Sequence, residues 1–215
     1  MDYAVATGNN ILVPVRNIYC VGRNYTGHAG ELGNTVPETP MFFQKALASL
    51  TTGDVVELPR NSVIHYELEI VALISTGGYR IPVAEAWKHV GGLALGLDLT
   101  DRPLQSRLKA KQHPWFMAKS FKNAAVVSDF RPLDLKNWAK PFWLKVNDEI
   151  VQKGRMKDMV FPIPTLVNCL SERIPLLKGD LIYTGTPEGV GELKTGDRLE
   201  LGLGDETLKE LIVRD

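Results

Sequence analysis

The stretch Ser62-Val63-Ile64-His65-Tyr66-Glu67-Leu68-Glu69-Ile70-Val71-Ala72-Leu73-Ile74 decides how the chain is read. Its β-branched and apolar content predicts a strand over Ser62–Ile74. Residues two apart in a strand share a face, so Glu67 and Glu69 point the same way, roughly 7 Å apart at Cα for a rise of ~3.3 Å per residue. Tyr66, Leu68 and Ile70 point the other way. Val71-Ala72-Leu73-Ile74 is apolar on both faces, which predicts a strand running into a covered sheet. Two carboxylates side by side there repel each other and lose hydration. Either that face is wet, or a cation lies on it.

A third acid follows. Gly91-Gly92-Leu93-Ala94-Leu95-Gly96-Leu97-Asp98-Leu99-Thr100 reads as an apolar strand that ends at Asp98. Three oxygen donors with no companion Cys or His pair suit a hard cation, Mg²⁺ or Mn²⁺, better than zinc. The competing reading of Asp98 is a turn residue or helix N-cap. Asp101 lies nearby, and a strand-end acid followed by a loop acid tends to divide into ligand and cap.

Two further groups carry chemistry. Lys119 sits in Trp115-Phe116-Met117-Ala118-Lys119-Ser120-Phe121. It either snorkels at a strand edge or is held as a buried positive charge, where it could bind a developing oxyanion. His28 and Glu31 lie in the glycine-rich stretch 22–34 at a spacing of three, on one side of any helical turn that forms there. A carboxylate orienting an imidazole is a general-base pair; the alternative is a surface turn.

Outward from these segments, strands are expected at Ile11–Val15, Ile18–Val21, Met41–Phe43, Leu93–Leu99, Ala124–Val127, Phe142–Val146, Leu181–Tyr183, Arg198–Leu201 and Glu210–Val213. Asn147-Asp148-Glu149 reads as a hairpin turn leading into a strand at Ile150–Gln152. Helices are expected at Val83–Val90, Pro103–Gln112 and Pro164–Glu172. With 19 Gly and 13 Pro spread throughout, the chain is cut into short segments, which favours strands. Strands outnumber helices and do not alternate with them, which argues against a doubly wound sheet or a strand–helix barrel. The expected fold is α+β and β-rich. One domain is expected over residues 1–215, with residues 1–15 as a small N-terminal hairpin or arm.

Composition removes other classes. Among 215 residues, 25 Lys+Arg balance 25 Asp+Glu, whereas a nucleic-acid binder shows a basic excess or stripe. The densest basic stretch, Arg102 to Lys122, is broken by Pro103, Pro114 and the apolar Trp115-Phe116-Met117. Cys20 and Cys169 read as buried free thiols of a reducing compartment. No apolar run approaches the ~18 residues of a membrane span, and no secretory signal pattern is seen, so a cytoplasmic protein is expected. The glycine-rich Thr184–Gly191 segment lacks the Lys-Ser/Thr of a phosphate loop and the order of a dinucleotide site.

Taken together, His65-Tyr66-Glu67-Leu68-Glu69, Leu97-Asp98-Leu99-Thr100, Arg102 with Gln105, Ala118-Lys119-Ser120-Phe121 and Thr184-Gly185-Thr186-Pro187-Glu188-Gly189-Val190-Gly191 resemble the fumarylacetoacetate hydrolase family. Cys20-Val21-Gly22-Arg23-Asn24-Tyr25 and Trp143-Leu144-Lys145-Val146-Asn147 fit the same pattern, so the resemblance runs from about Ile18 to the C-terminus. It looks like the short acylpyruvase branch. The resemblance implies a mixed β-sheet roll with few short helices, a homodimer and one Mg²⁺ or Mn²⁺ per subunit. It implies Glu67, Glu69 and Asp98 as metal ligands, Lys119 as the charged catalytic group, and His28 with Glu31 as a lid dyad that positions water. It implies Arg23, Tyr25, Arg102, Gln105 and Thr186 as substrate-binding residues. Phe43-Gln44-Lys45-Ala46 departs from the Lys-Pro of many relatives, and Lys45 stays outside the expected catalytic set.

The activity so implied is metal-dependent C–C hydrolysis of 3-acylpyruvate-type diketo acids, acylpyruvate or fumarylpyruvate, to pyruvate and a carboxylic acid. The alternatives on the same metal enolate are oxaloacetate decarboxylation, keto–enol tautomerisation, and an isomerase or decarboxylase of aromatic catabolism. A non-catalytic binding protein on the same fold is the alternative of a different class. The expected partners are a small 2-keto or diketo acid and a second copy of the chain, with no nucleic acid and no membrane.

Overall fold

The computed structural model describes residues 3–8, 11–27 and 37–215. The expected long strand is divided at Glu67. Ile64–Tyr66 is the middle of a three-stranded sheet, between Thr100–Asp101 and Gly191–Glu192. Leu68–Ile74 is the central strand of a seven-stranded sheet ordered Met41–Lys45, Ile18–Gly22, Leu181–Tyr183, Leu68–Ile74, Val90–Asp98, Ala125–Val127 and Leu50–Thr51. Neighbours are antiparallel except at Leu181–Tyr183 with Ile18–Gly22 and Ala125–Val127 with Leu50–Thr51. The fold is thus α+β and β-rich, with a mixed sheet and few short helices.

Every residue of Leu68–Ile74 is buried, as a strand apolar on both faces requires. Leu68, Ile70, Ala72 and Ile74 enter the larger core. That core is closed by the Ile163–Ser171 helix (Ile163, Leu166, Val167) and by a five-stranded sheet that contributes Phe142, Leu144, Leu201 and Leu211. Val71 and Leu73 face a second core with Cys20, Tyr183, Val5 and Val15. Val5 comes from the N-terminal hairpin, where Ala4–Ala6 pairs antiparallel with Leu12–Pro14. Each fully buried Leu or Ile stabilises the fold by about 1.5–3 kcal/mol relative to exposure. Leu73, Val71 and Glu69 therefore descend one face of the sheet, from apolar core to acid.

Local chemistry explains the turns and helix ends. Asn147 and Asp148 have φ of 50° and 71°, the left-handed pair that matches the twist of the Phe142–Val146 and Glu149–Gly154 strands they join. The Arg102–Ala110 helix starts at Asp101, whose side chain accepts from the Leu104 amide at 3.0 Å. Asp101 is thus the cap and Asp98 the buried acid. The expected Val83–Val90 helix is split into a 3-10 turn, Val83–Glu85, and one turn of α-helix, Ala86–His89. Lys119 closes a short helix, Phe116–Lys119, and is not at a strand edge. Cys20 is buried, whereas Cys169 is half-buried on the Ile163–Ser171 helix.

Candidate metal centre and active site

Register brings the three acids together. In the antiparallel pair, Leu68 lies opposite Leu97 and Glu69 opposite Gly96. One step beyond, the Asp98 amide donates to the Glu67 carbonyl at 2.9 Å. Residues opposite each other share a face, so Glu67, Glu69 and Asp98 meet at one end of the sheet. One carboxylate oxygen from each lies within 4.8 Å of the others, and all three residues are buried. Gly96 keeps the position opposite Glu69 clear. A Cβ there would stand 2.5 Å from the Val126 carbonyl oxygen and 2.8 Å from Val71 Cγ2.

Three cations face the acids. Lys119 Nζ donates to Glu67 Oε2 and Asp98 Oδ2, both at 2.8 Å. Lys45 Nζ is 2.6 Å from Asp98 Oδ1, and it donates to the carbonyls of Leu99 at 2.9 Å and Lys119 at 2.6 Å. Arg102 pairs with Glu67 Oε1 and donates to Gln105 Oε1 at 2.8 Å. Lys45, which the sequence leaves outside the expected catalytic set, is thus buried against one of the three acids. The available signal was a lysine two residues after the apolar Met41-Phe42-Phe43 run, an oddity akin to that of Lys119.

The electrostatics follow from burial. Burial first, then Asp98 and Glu67, push the Glu69 carboxyl well above the carboxylate range, against the Gly185 amide at 2.7 Å and Lys119. Burial pulls the Lys119 ammonium down, but Asp98 and Glu67 outweigh it, and its pKa stands above that of an ordinary lysine. Asp98 Oδ1 is buried and accepts no hydrogen bond among the described residues; its close contact is the Lys45 ammonium. A crowded, buried, all-oxygen donor set that pushes one of its own carboxyls towards neutrality fits a hard divalent cation.

The remaining expected residues divide. Arg23, Arg102, Gln105 and Thr186 line the same cavity as the acids and Lys119. Thr186 is held by Gln152, whose Nε2 donates to Thr186 Oγ1 at 2.9 Å while its Oε1 accepts from the Leu68 amide at 2.8 Å. Tyr25 does not line this cavity. It is buried in the larger core, with its ring edge-on to Phe142 and its hydroxyl donating to the Arg155 carbonyl at 3.4 Å. His28 and Glu31 lie outside the described residues. The structure adds Lys109, Phe43 and Trp115 to the wall. Lys109 was legible as the next step of the Arg102, Gln105 helix face.

Known proteins share this arrangement's fold and sequence. A profile described as fumarylacetoacetate (FAA) hydrolase C-terminal matches residues 17–213. The mitochondrial oxaloacetate tautomerase FAHD2 of Oryza sativa subsp. japonica is 39% identical over 207 residues, 92% of this chain and 91% of that protein. The mitochondrial oxaloacetate decarboxylase of Dictyostelium discoideum is 40% identical over 193 residues, 87% of this chain and 88% of that protein. The crystal structure of fumarylpyruvate hydrolase from Pseudomonas aeruginosa, in complex with Mn²⁺ and pyruvate, superposes with a TM-score of 0.89 at 34% identity, covering 99% of this chain and 96% of that one. Both curated relatives are mitochondrial, so they lend the cytoplasmic expectation no support. Among the described residues, no helix is long and apolar enough to cross a membrane.

Proposed function

The chain belongs to the fumarylacetoacetate hydrolase family, and from that premise we propose that it is a divalent-metal enzyme acting on a small 2-keto dicarboxylic acid through its enolate, with keto–enol tautomerisation of oxaloacetate as its reaction. The observation that carries this reading is the buried Glu67–Glu69–Asp98 cluster faced by Lys119 and Arg102. Glu67, Glu69 and Asp98 would hold one Mg²⁺ or Mn²⁺, whose chemistry is Lewis-acid polarisation of a keto oxygen. The Mn²⁺ of the Pseudomonas structure and the oxaloacetate enzymes among the relatives support the reading.

The chain's own residues do the rest. Lys119 stays protonated beside Asp98 and Glu67, so it offers a fixed positive charge to an enolate oxygen and does not act as a base. Arg102, braced by Gln105, presents a fork suited to the substrate's 1-carboxylate. Phe43 and Trp115, edge-to-face at 6.2 Å between ring centroids, form an apolar wall that limits water around the developing charge. In the reaction the C3 proton passes to a solvent water, its C–H electron pair becomes the C2=C3 bond, and the keto oxygen takes up a proton from solvent, so that one proton leaves and one arrives.

Hydrolysis of a 3-acylpyruvate is the second reading, favoured by the Pseudomonas fumarylpyruvate hydrolase. It needs an attacking water, and the His28–Glu31 pair is proposed to activate it. Decarboxylation breaks the C3–C4 bond, leaves its electrons in the enolate and needs no such water. A panel of oxaloacetate, acetylpyruvate and fumarylpyruvate with Mg²⁺ or Mn²⁺ separates the readings. Fast enol–keto interconversion of oxaloacetate with slow diketo-acid cleavage is expected; the reverse ranking would establish the hydrolase.

A further inference from the structure

We infer that Lys109, together with Arg23, takes the second carboxylate of the substrate, so that the site selects dianionic 2-keto acids over monoanionic ones. The inference deepens the proposed function and rests on its placement of the metal and the first carboxylate.

Three of the cations at the site are already committed. Lys119 is paired with Glu67 and Asp98, Lys45 with Asp98, and Arg102 with Glu67. Arg23 and Lys109 line the same cavity, and neither forms an ion pair among the described residues. The three carboxylates and their three paired cations sum to zero charge. A bound divalent cation, with Arg23 and Lys109 on the same wall, then leaves four positive charges, of which a dianion offsets two and a monoanion one. Burial first, then Arg23, Arg102 and Lys119, weaken the hold of Lys109 on its proton, so these charges crowd one another and an anion between them relieves the crowding.

Helix geometry places Lys109 one turn beyond Gln105 along the cavity wall. Lys109 follows Gln105 by four residues on the Arg102–Ala110 helix, about 6 Å along its axis, comparable to the length of a four-carbon diacid. The Lys109 ammonium stands 4.8 Å from the Trp115 ring centroid, and Trp115 packs on Phe43, which carries Lys119 at 4.9 Å. One aromatic pair thus carries both ammonium groups. Arg23 has a φ of 59°, a left-handed conformation uncommon for a residue with a side chain. The adjacent Asn24 pins that turn: its side chain donates to the Thr184 and Phe161 carbonyls at 2.7 and 3.0 Å and accepts from the Phe161 amide at 2.7 Å. A strained residue held firmly at a cavity wall is the pattern of a positioned binding group.

The test is binding to the Mn²⁺-loaded protein, read by stopped-flow tryptophan fluorescence before turnover. The ligands are oxaloacetate, its 4-methyl ester and oxalate, whose two carboxylates need only the metal end. Lys109→Gln is expected to weaken oxaloacetate about 10- to 100-fold, the factor for one charge-assisted hydrogen bond. The ester and oxalate should change by less than about threefold, and Lys109→Arg should retain most of the oxaloacetate affinity. Unchanged oxaloacetate binding in Lys109→Gln, or equal weakening of all three ligands, would overturn the inference. Wild-type protein that binds oxaloacetate but does not interconvert its tautomers would overturn the proposed reaction and leave the charge selectivity standing.

Discussion

Lys45 Nζ lies 2.6 Å from Asp98 Oδ1, and both side chains are buried. Removing one partner of such a pair leaves an uncompensated charge, at a cost of about 3–5 kcal/mol. Lys45→Met should therefore lower the metal-free unfolding free energy by about that amount in denaturant titrations. Saturating Mn²⁺ should restore more stability in the variant than it adds to the wild type, because the cation replaces the missing charge and stabilises by mass action. An equal metal-induced gain in both proteins would refute the charge-balancing role.

Glu69 gives a pH dependence with a definite sign. Its carboxyl in the metal-free fold is held well above the ordinary 4.5 by burial, then by Asp98 and Glu67. The unfolded chain releases that proton first, so the unfolding free energy falls as pH rises from about 4.5 towards the raised value. Saturating Mn²⁺ should flatten the slope, because binding requires the ionised carboxylate. The metal-free difference between wild type and Glu69→Gln, followed from about pH 5 to about pH 8, isolates the effect. A pH-independent difference would contradict the assignment.

Lys119 is the charge placed for an enolate oxygen. Lys119→Met should lower kcat for oxaloacetate about 10²- to 10³-fold, the range for loss of one oxyanion partner. Mn²⁺ binding should survive, since the three acids remain. Undiminished turnover would remove Lys119 from the chemistry.

Asp101 supplies the contrast. As the N-cap of Arg102–Ala110, accepting from Leu104 at 3.0 Å, it contributes helix stability. Asp101→Ala should cost about 1 kcal/mol in thermal or denaturant unfolding with unchanged Mn²⁺ affinity. A large loss of metal affinity would show that the cap and ligand roles of the two neighbouring acids are reversed.

These residues also show what the sequence makes legible. The period of two placed Glu67 and Glu69 on one face, and the apolar run after them predicted a strand covered on both sides. The division between Asp98 as buried acid and Asp101 as cap also follows from their local settings. Lys45 could not be placed the same way: its contacts with Asp98, Leu99 and Lys119 cross 53 or more positions of chain, and no local period encodes them. The break at Glu67 arises because Ile64–Tyr66 and Leu68–Ile74 find partners in different sheets, a tertiary choice that β-propensity does not register. Tyr25 was assigned by motif, and packing against Phe142 turns it elsewhere.

The central claim is that Glu67, Glu69 and Asp98 hold the cation on which oxaloacetate enolises. The most direct test follows the enol–keto interconversion of oxaloacetate in the presence of Mn²⁺, with wild type, Glu69→Gln and chelator-treated wild type side by side. The account predicts rapid interconversion by the wild type, loss on chelation with recovery when Mn²⁺ is returned, and no recovery for Glu69→Gln at the same metal concentration. Full metal-dependent activity in Glu69→Gln, or wild-type activity indifferent to chelation, would contradict it.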